Sequence, residues 1–322
     1  MNVALSTTPG ELHPEIAAYL DMVDEGRRAG RPAPHELLIA QARAEFEAAS
    51  RSLPSFAPAC AVEPLSLPVR HGQMAARLYR PALANATLPV LIYLHGGGYC
   101  IGSLDSHDAV CRQLAVSAQC AVLALDYRLA PEHHFPAALE DVRDAWDWLQ
   151  EDGLALGLDP ARVALGGDSA GATLSSVICA ELAATQGAKP RAQLLFYPAV
   201  DARQASESHE LFAEGHLLES ATLAWFYQHY VPQPEQRCDW RCSPLLAEGQ
   251  LRGSAPALLL IAEFDPLLDE GLAYAEHLRE QGVVVESRLC RGMTHDFLRM
   301  AGLVPEVLEY YAQAAAFLRR CW

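Results

Sequence analysis

The sequence has no cluster of lysines and arginines, no long apolar stretch and no paired cysteine spacing, and each absence removes a class of function. Without a basic run, and with a formal net charge of −16 over 322 residues, the chain repels a phosphate backbone or an anionic membrane surface, so nucleic acid is excluded as a partner. The strongest apolar run, Ala257-Leu258-Leu259-Leu260-Ile261-Ala262, has the length of a buried strand and falls far short of a bilayer span. The opening residues Met1-Asn2-Val3-Ala4, running into Pro9-Gly10-Glu11, lack a basic segment followed by an apolar one, so no secretory leader is expected and the expected compartment is the cytoplasm. The nine cysteines (Cys60, Cys100, Cys111, Cys120, Cys179, Cys238, Cys242, Cys290 and Cys321) are odd in number and scattered, which reads as small buried hydrophobes rather than a disulfide framework. Asn85-Ala86-Thr87 fits a glycosylation acceptor, a reading that matters only in a secreted chain.

Cofactor motifs are missing too. There is no Gly-x-Gly-x-x-Gly and no Gly-Lys-Ser/Thr, so no phosphate-cradling loop is expected. His35-Glu36 lacks the second histidine of a metalloprotease helix, and Cys238 with Cys242 has no nearby partner pair, so no metal site is expected. No internal repeat or low-complexity segment occurs.

What is present is half apolar, at 51% hydrophobic residues, enough for a large core. Ile16, Leu20 and Val23, then Leu37, Ala40, Ala44 and Ala48, recur at helical spacing and predict two short N-terminal helices. Glu63 to Pro68 and Gln73 to Tyr79, separated by His71-Gly72, predict a hairpin at the antiparallel edge of a larger sheet. From Pro89 onward apolar runs alternate with helical stretches: Val90 to Leu94, Ala121 to Leu125, Val163 to Leu165, Leu194 to Tyr197, Leu258 to Ile261 and Val283 to Leu289. That rhythm predicts an α/β fold, a mostly parallel central sheet covered by helices on both faces. Between Asp201 and about Arg241 the rhythm breaks into an aromatic stretch, Trp225-Phe226-Tyr227 and Tyr230, read as an inserted helical cap; Trp225 and its aromatic neighbours are either cap core, the favoured reading, or part of an acyl pocket.

Two glycine-rich motifs carry the chemistry. Gly167-Asp168-Ser169-Ala170-Gly171 follows an apolar strand and precedes a helix-like run from Ala170 to Ala184, the context of a nucleophile elbow with Ser169 as nucleophile. Its glycines permit the sharp turn, and the helix N-terminus adds unpaired N–H groups and a positive dipole end. Asp168 is read as an exposed acid at a helix start, able to tune the field or touch substrate. Upstream, His95-Gly96-Gly97-Gly98 ends the strand from Val90 and forms the expected oxyanion hole, with main-chain donors at Gly97, Gly98 and Ala170. From average composition a Gly-x-Ser-x-Gly frame arises by chance in roughly one such chain in ten, but His followed by three glycines in far fewer, so the pair together points to acyl transfer. His95 is expected to brace its loop rather than titrate.

The order Ser, acid, His in α/β-hydrolases puts both partners at later strand ends. Asp265 follows Leu258 to Ile261 and precedes Pro266, whereas Asp269 opens the next helix, so Asp265 is the expected orienting carboxylate. Of the histidines after it, His277 sits on a helix face read as solvated, and His295 lies in a loop, Arg291-Gly292-Met293-Thr294, beyond the last strand. His295 is the expected base. His133 and His134 read as surface turn residues.

With those residues the chain resembles the hormone-sensitive-lipase-like family of α/β-hydrolase carboxylesterases, bacterial acetyl esterases above all. The likeness is carried by His95-Gly96-Gly97-Gly98-Tyr99, Asp126-Tyr127-Arg128-Leu129-Ala130-Pro131-Glu132, Gly167 to Gly171, Glu263-Phe264-Asp265-Pro266-Leu267-Leu268-Asp269 and His295-Asp296-Phe297, from about Glu63 to the chain's end. Ala172 departs from it, where many relatives have a further glycine. The resemblance implies a triad of Ser169, Asp265 and His295. It also implies cap helices in residues 1–55, a hydrolase core in 56–200 and 242–322 and an inserted cap segment in 201–241, with Tyr99, Tyr197 and Leu217 at the substrate; Asp168, from its place beside Ser169, is a further substrate-contact candidate. The expected activity is hydrolysis of short- to medium-chain acyl esters through an acyl-enzyme, without metal or cofactor, falling as pH drops through roughly 6 to 7. The expected partners are a small-molecule ester and a second copy of the chain in a homodimer. An amidase or deacetylase would use the same groups, and a non-catalytic binding protein on this fold would lack the histidine that stands here at position 295.

Overall fold

The computed structural model describes residues 10–82 and 87–322. The first nine residues, read above for a leader, and Asn85 and Ala86 of the glycosylation triplet lie outside them. Two helices lead, α1 (Pro14–Arg28) and α2 (Ile39–Ser52). A hairpin follows, β1 (Ala61–Val69) with β2 (Gly72–Arg80), paired antiparallel through the tight turn at His71. The remaining strands are β3 (Leu88–Leu94), β4 (Ala121–Leu125), β5 (Leu158–Asp168), β6 (Gln193–Phe196), β7 (Ala257–Phe264) and β8 (Val285–Thr294).

They form one sheet in the order β1-β2-β4-β3-β5-β6-β7-β8, antiparallel from β1 through β4 and parallel from there on. Every residue of β3 and β4 is buried, because strands covered on both faces read as unbroken apolar runs. Side chains alternate between the faces. Val90, Ile92 and Leu94 pack with α4 (Ala137–Asp152) and α5 (Ala170–Ala183), while Leu91 and Tyr93 pack with α3 (Asp108–Ala118) and α9 (Val307–Cys321). At the far end Leu259 and Ile261 meet α8 (Leu268–Glu280).

Between β6 and β7 lie α6 (Ser208–Leu211) and α7 (Ser220–Tyr230), in the segment where the α/β rhythm breaks. His35, between α1 and α2, holds this insertion through Nδ1 to the Thr222 hydroxyl at 3.0 Å. One strand departs from expectation: Arg291 to Thr294, read as loop, belongs to β8. An irregularity in the pairing with β7 lets the strand run on, with Thr294 opposite Phe264, so His295 emerges directly from a strand end.

All nine cysteines are free thiols, six of them buried. Among the described residues no helix is long and apolar enough to cross a membrane.

Candidate active site

The ends of β3, β5 and β8 converge on one cavity, at the carboxyl edge of the sheet where ligand sites of open α/β sheets gather, and the end of β7 reaches it only through the Asp265–His295 contact. Ser169 stands between β5 and α5 with φ 52° and ψ −120°, a conformation costly for any residue with a Cβ. Its N–H donates to the Phe196 carbonyl at 2.9 Å, which fixes the turn. The flanking glycines follow from close approach: a methyl group on Gly167 or Gly171 would collide with the Leu94 carbonyl oxygen at the end of β3. Ser169 Oγ makes no hydrogen bond among the described residues.

The loop after β3 turns through Gly97 (φ 112°) and Gly98 (φ 57°). Among the described residues the N–H groups of Gly97, Gly98 and Ala170 donate to no protein acceptor, so all three are open to a substrate oxygen. The loop is braced from below. Asp168 accepts from the Tyr93 hydroxyl at 2.6 Å, from Gly96 N–H at 3.1 Å and from His107 Nε2 at 3.3 Å. The exposed position expected for Asp168 is therefore corrected: it is 2% exposed, pointing under the glycine loop. Burial works to raise its carboxyl, but His107 and the Tyr93 hydroxyl outweigh that and hold it below the ordinary carboxylate range. His95 Nδ1 bonds the Gly96 carbonyl at 2.8 Å and its ring stacks on Tyr127, whose hydroxyl donates to the His95 carbonyl at 2.7 Å. Burial pushes His95 down to about 4, so its imidazole stays neutral near pH 7 and acts as a strut.

Asp265 follows β7 and is 1% exposed. Its Oδ1 accepts from Leu267 N–H at 2.9 Å and its Oδ2 lies 2.7 Å from His295 Nδ1. A carboxylate there holds the proton on Nδ1, leaving Nε2 as the basic nitrogen. Burial disfavours the imidazolium, but attraction to Asp265 and the hydrogen bond with it prevail and raise His295 above the ordinary histidine value. His295 and Ser169 both border the cavity, and no Oγ–Nε2 bond is formed across it, a looseness common before substrate binds.

The cavity has a volume of about 520 Å³ and is roofed by both irregular parts of the chain: Tyr19, Met22 and Phe46 from α1 and α2, Leu218, Leu223 and Phe226 from the insertion. Tyr99, Asp168 and Leu217 border it as well. Tyr197 does not; its ring stands edge-on to His295 at a centroid distance of 4.7 Å, behind the imidazole. Nor does Trp225, which packs with Phe226 and His229. His277, expected on a solvated face, is half-buried and bonds the Ala247 carbonyl through Nε2 at 2.7 Å. His133 and His134 are exposed.

Two residues had no sequence signal that singled them out: His107, which braces Asp168 across 61 positions, and Arg299, which pairs with Asp296 at 2.6 Å and stacks on Phe46 of α2; Phe226, legible only as one of an aromatic stretch, has its ring against Gly98. Ligand atoms of His107, Asp168 and Asp296 fall within 4.8 Å of one another, yet Asp168 is taken up by His107, Tyr93 and Gly96, and Asp296 by Arg299.

A sequence profile described as alpha/beta hydrolase fold matches residues 91–299. An ethyl acetate hydrolase of Pseudomonas putida is 47% identical over 308 residues, covering 92% of this chain and 95% of that protein. The carboxylic ester hydrolase LipN of Mycobacterium tuberculosis is 43% identical, covering 81% and 71%. Among solved structures, a thermostable esterase from Pseudomonas putida superposes with a TM-score of 0.93 at 32% identity, covering 98% and 99%. An ester hydrolase from the metagenome of Lake Arreo does so with 0.90 at 38%, covering 95% and 98%.

Proposed function

The chain belongs to the hormone-sensitive-lipase-like carboxylesterases of the α/β-hydrolase fold, and from that premise we propose which residues carry the ester hydrolysis and on what esters they act. Ser169 Oγ attacks the ester carbonyl while His295 Nε2 takes its proton and Asp265 holds the resulting imidazolium. The carbonyl oxygen gathers negative charge and is met by the N–H groups of Gly97, Gly98 and Ala170. His295 then gives the proton to the leaving alcohol, and a water activated by the same nitrogen releases the acid and restores Ser169. The observation that carries this reading is the 2.7 Å Asp265–His295 bond bordering the cavity that also holds Ser169 and the three open N–H groups.

The acyl group is short to medium in length. Support comes from Phe226, whose ring lies against Gly98 and so stands beside the oxyanion donors, limiting room on that side of Ser169. Turnover of p-nitrophenyl esters from acetate to palmitate tests both points. The parent is expected to favour short acyl chains, and Phe226→Ala to shift the preference toward longer ones, by about ten- to two-hundredfold in kcat/KM ratio for each methylene that gains room. No ester turnover by the parent sinks the assignment; an unchanged chain-length profile in Phe226→Ala sinks the role of its ring.

Activity requires neutral His295. Because Asp265 raises that imidazole, activity is expected to be lost as pH falls through a value above the ordinary 6.5 or so. A kcat/KM profile flat down to pH 4 would contradict a histidine base.

Cytoplasmic residence and a homodimer belong to the same proposal. Nine unpaired cysteines suit a reducing compartment, and among the described residues no strand pairs with the outer edge of β8. Light scattering after size-exclusion chromatography decides the second.

A further inference from the structure

The proposed reaction makes no use of Glu270, on the first turn of α8, although it is only 2% exposed and sits close in sequence to Asp265. Its Oε1 accepts from Val200 N–H at 2.7 Å and Asp201 N–H at 3.1 Å, where the chain leaves the β6 side and enters the insertion. Its Oε2 lies 2.8 Å from Nε2 of His209, itself 5% exposed and borne on α6 of that insertion. The neighbouring Ser208 completes the attachment. Its N–H donates to Asp269 Oδ2 at 2.8 Å, its hydroxyl donates to the Pro266 carbonyl at 2.6 Å, and it accepts from Asp269 N–H at 3.2 Å.

Residues 265–270 thus do two things at once. Asp265 orients His295, while Pro266, Asp269 and Glu270 grip both the start of the insertion and α6. The connection continues upward: Ser220, the first residue of α7, donates its hydroxyl to the His209 carbonyl at 2.6 Å, and α7 carries Phe226 onto Gly98. On the other side Thr294, next to His295, donates to the His216 carbonyl of the insertion at 2.6 Å. A buried polar pair of this kind is weak as a source of net stability compared with apolar packing, so stability alone gives little reason for an imidazole and a carboxyl group here.

We propose that Glu270 and His209 are positioning residues that lock the root of the insertion onto the Asp265 loop, so that the orientation of His295 and the seat of Phe226 over Gly98 are set together. This rests on the serine ester hydrolysis proposed above. The pair itself touches neither substrate nor reacting atoms.

The test compares Glu270→Ala, His209→Ala and Glu270→Gln with the parent on p-nitrophenyl acetate and p-nitrophenyl octanoate. A variant that merely folds less well loses active enzyme in equal proportion on both esters, leaving KM and the acetate-to-octanoate ratio unchanged. Unlocking the root is expected instead to lower kcat on acetate by about ten- to a hundredfold, as misplacement near 1 Å does, and to narrow the ratio severalfold. Glu270→Gln is expected to stay near the parent, because its amide oxygen still accepts from Val200 and Asp201 and its amide nitrogen still reaches His209. Folded Glu270→Ala with parental kcat and ratio overturns the proposal. If Glu270→Ala does not fold, His209→Ala decides, since it leaves the bonds to Val200 and Asp201 intact; parental kcat and ratio in that variant overturn it equally. Ser169-dependent turnover by the parent keeps the underlying reading standing whichever way these variants fall.

Discussion

Replacing Ser169 by alanine is expected to reduce ester turnover by about four to six powers of ten, the loss seen when a triad serine is removed. The hydroxyl is the only atom deleted, and it makes no hydrogen bond among the described residues, so packing loses almost nothing. The φ of 52° is no harder for alanine than for serine, since both carry the same Cβ, and the 2.9 Å bond from the residue's N–H to Phe196 remains. What disappears is the nucleophile. His295 then has no hydroxyl to deprotonate, and the acyl-enzyme cannot form. Residual catalysis would come from the open N–H groups of Gly97, Gly98 and Ala170 acting on attack by water. Initial rates on p-nitrophenyl acetate, with thermal unfolding as a control, measure this; turnover above about a hundredth of the parent would reject Ser169 as the nucleophile.

Asp265→Asn is expected to cost about four powers of ten in kcat. The substitution preserves shape and Leu267 N–H can still find an acceptor, so the fold is expected to hold. The change is electronic. An amide that turns its NH₂ toward His295 Nδ1 draws the ring into the tautomer with hydrogen on Nε2, which cannot accept the serine proton. Loss of the negative charge also removes the leading cause that raises His295 against its burial, so any remaining activity should show its acid limb at lower pH than the parent's. A kcat within tenfold of the parent, or an unmoved limb, would reject Asp265 as the orienting acid.

How far the sequence could be read follows from the range over which each signal acts. β3 and β7 were legible because strands buried on both faces carry long apolar runs, Ala257 to Ala262 in β7, and the hairpin because alternation and a Gly-containing turn are local. The end of β8 was not, since Arg291-Gly292 resembles a loop and only pairing with β7 makes it a strand. Asp168 was misread as exposed for a similar reason. Its partners Tyr93, Gly96 and His107 are 61 to 75 positions away, and nothing adjacent in the chain announces a buried carboxylate. His277 looked solvated because its acceptor, the Ala247 carbonyl, is 30 positions distant.

The sequence by itself determined the reaction class and the candidates for it, because acyl transfer at a strand-to-helix turn demands glycines at set offsets from a serine, and the family order of acid and base leaves few residues to choose from. Tertiary structure alone decided what surrounds those candidates: which ring lies against Gly98, what fills the space under the glycine loop, and how residues 265–270 hold the insertion as well as His295. The difference is physical. Turn geometry is written in neighbouring residues, whereas burial, cavity shape and hydrogen bonds between distant segments exist only once the sheet has brought those segments together.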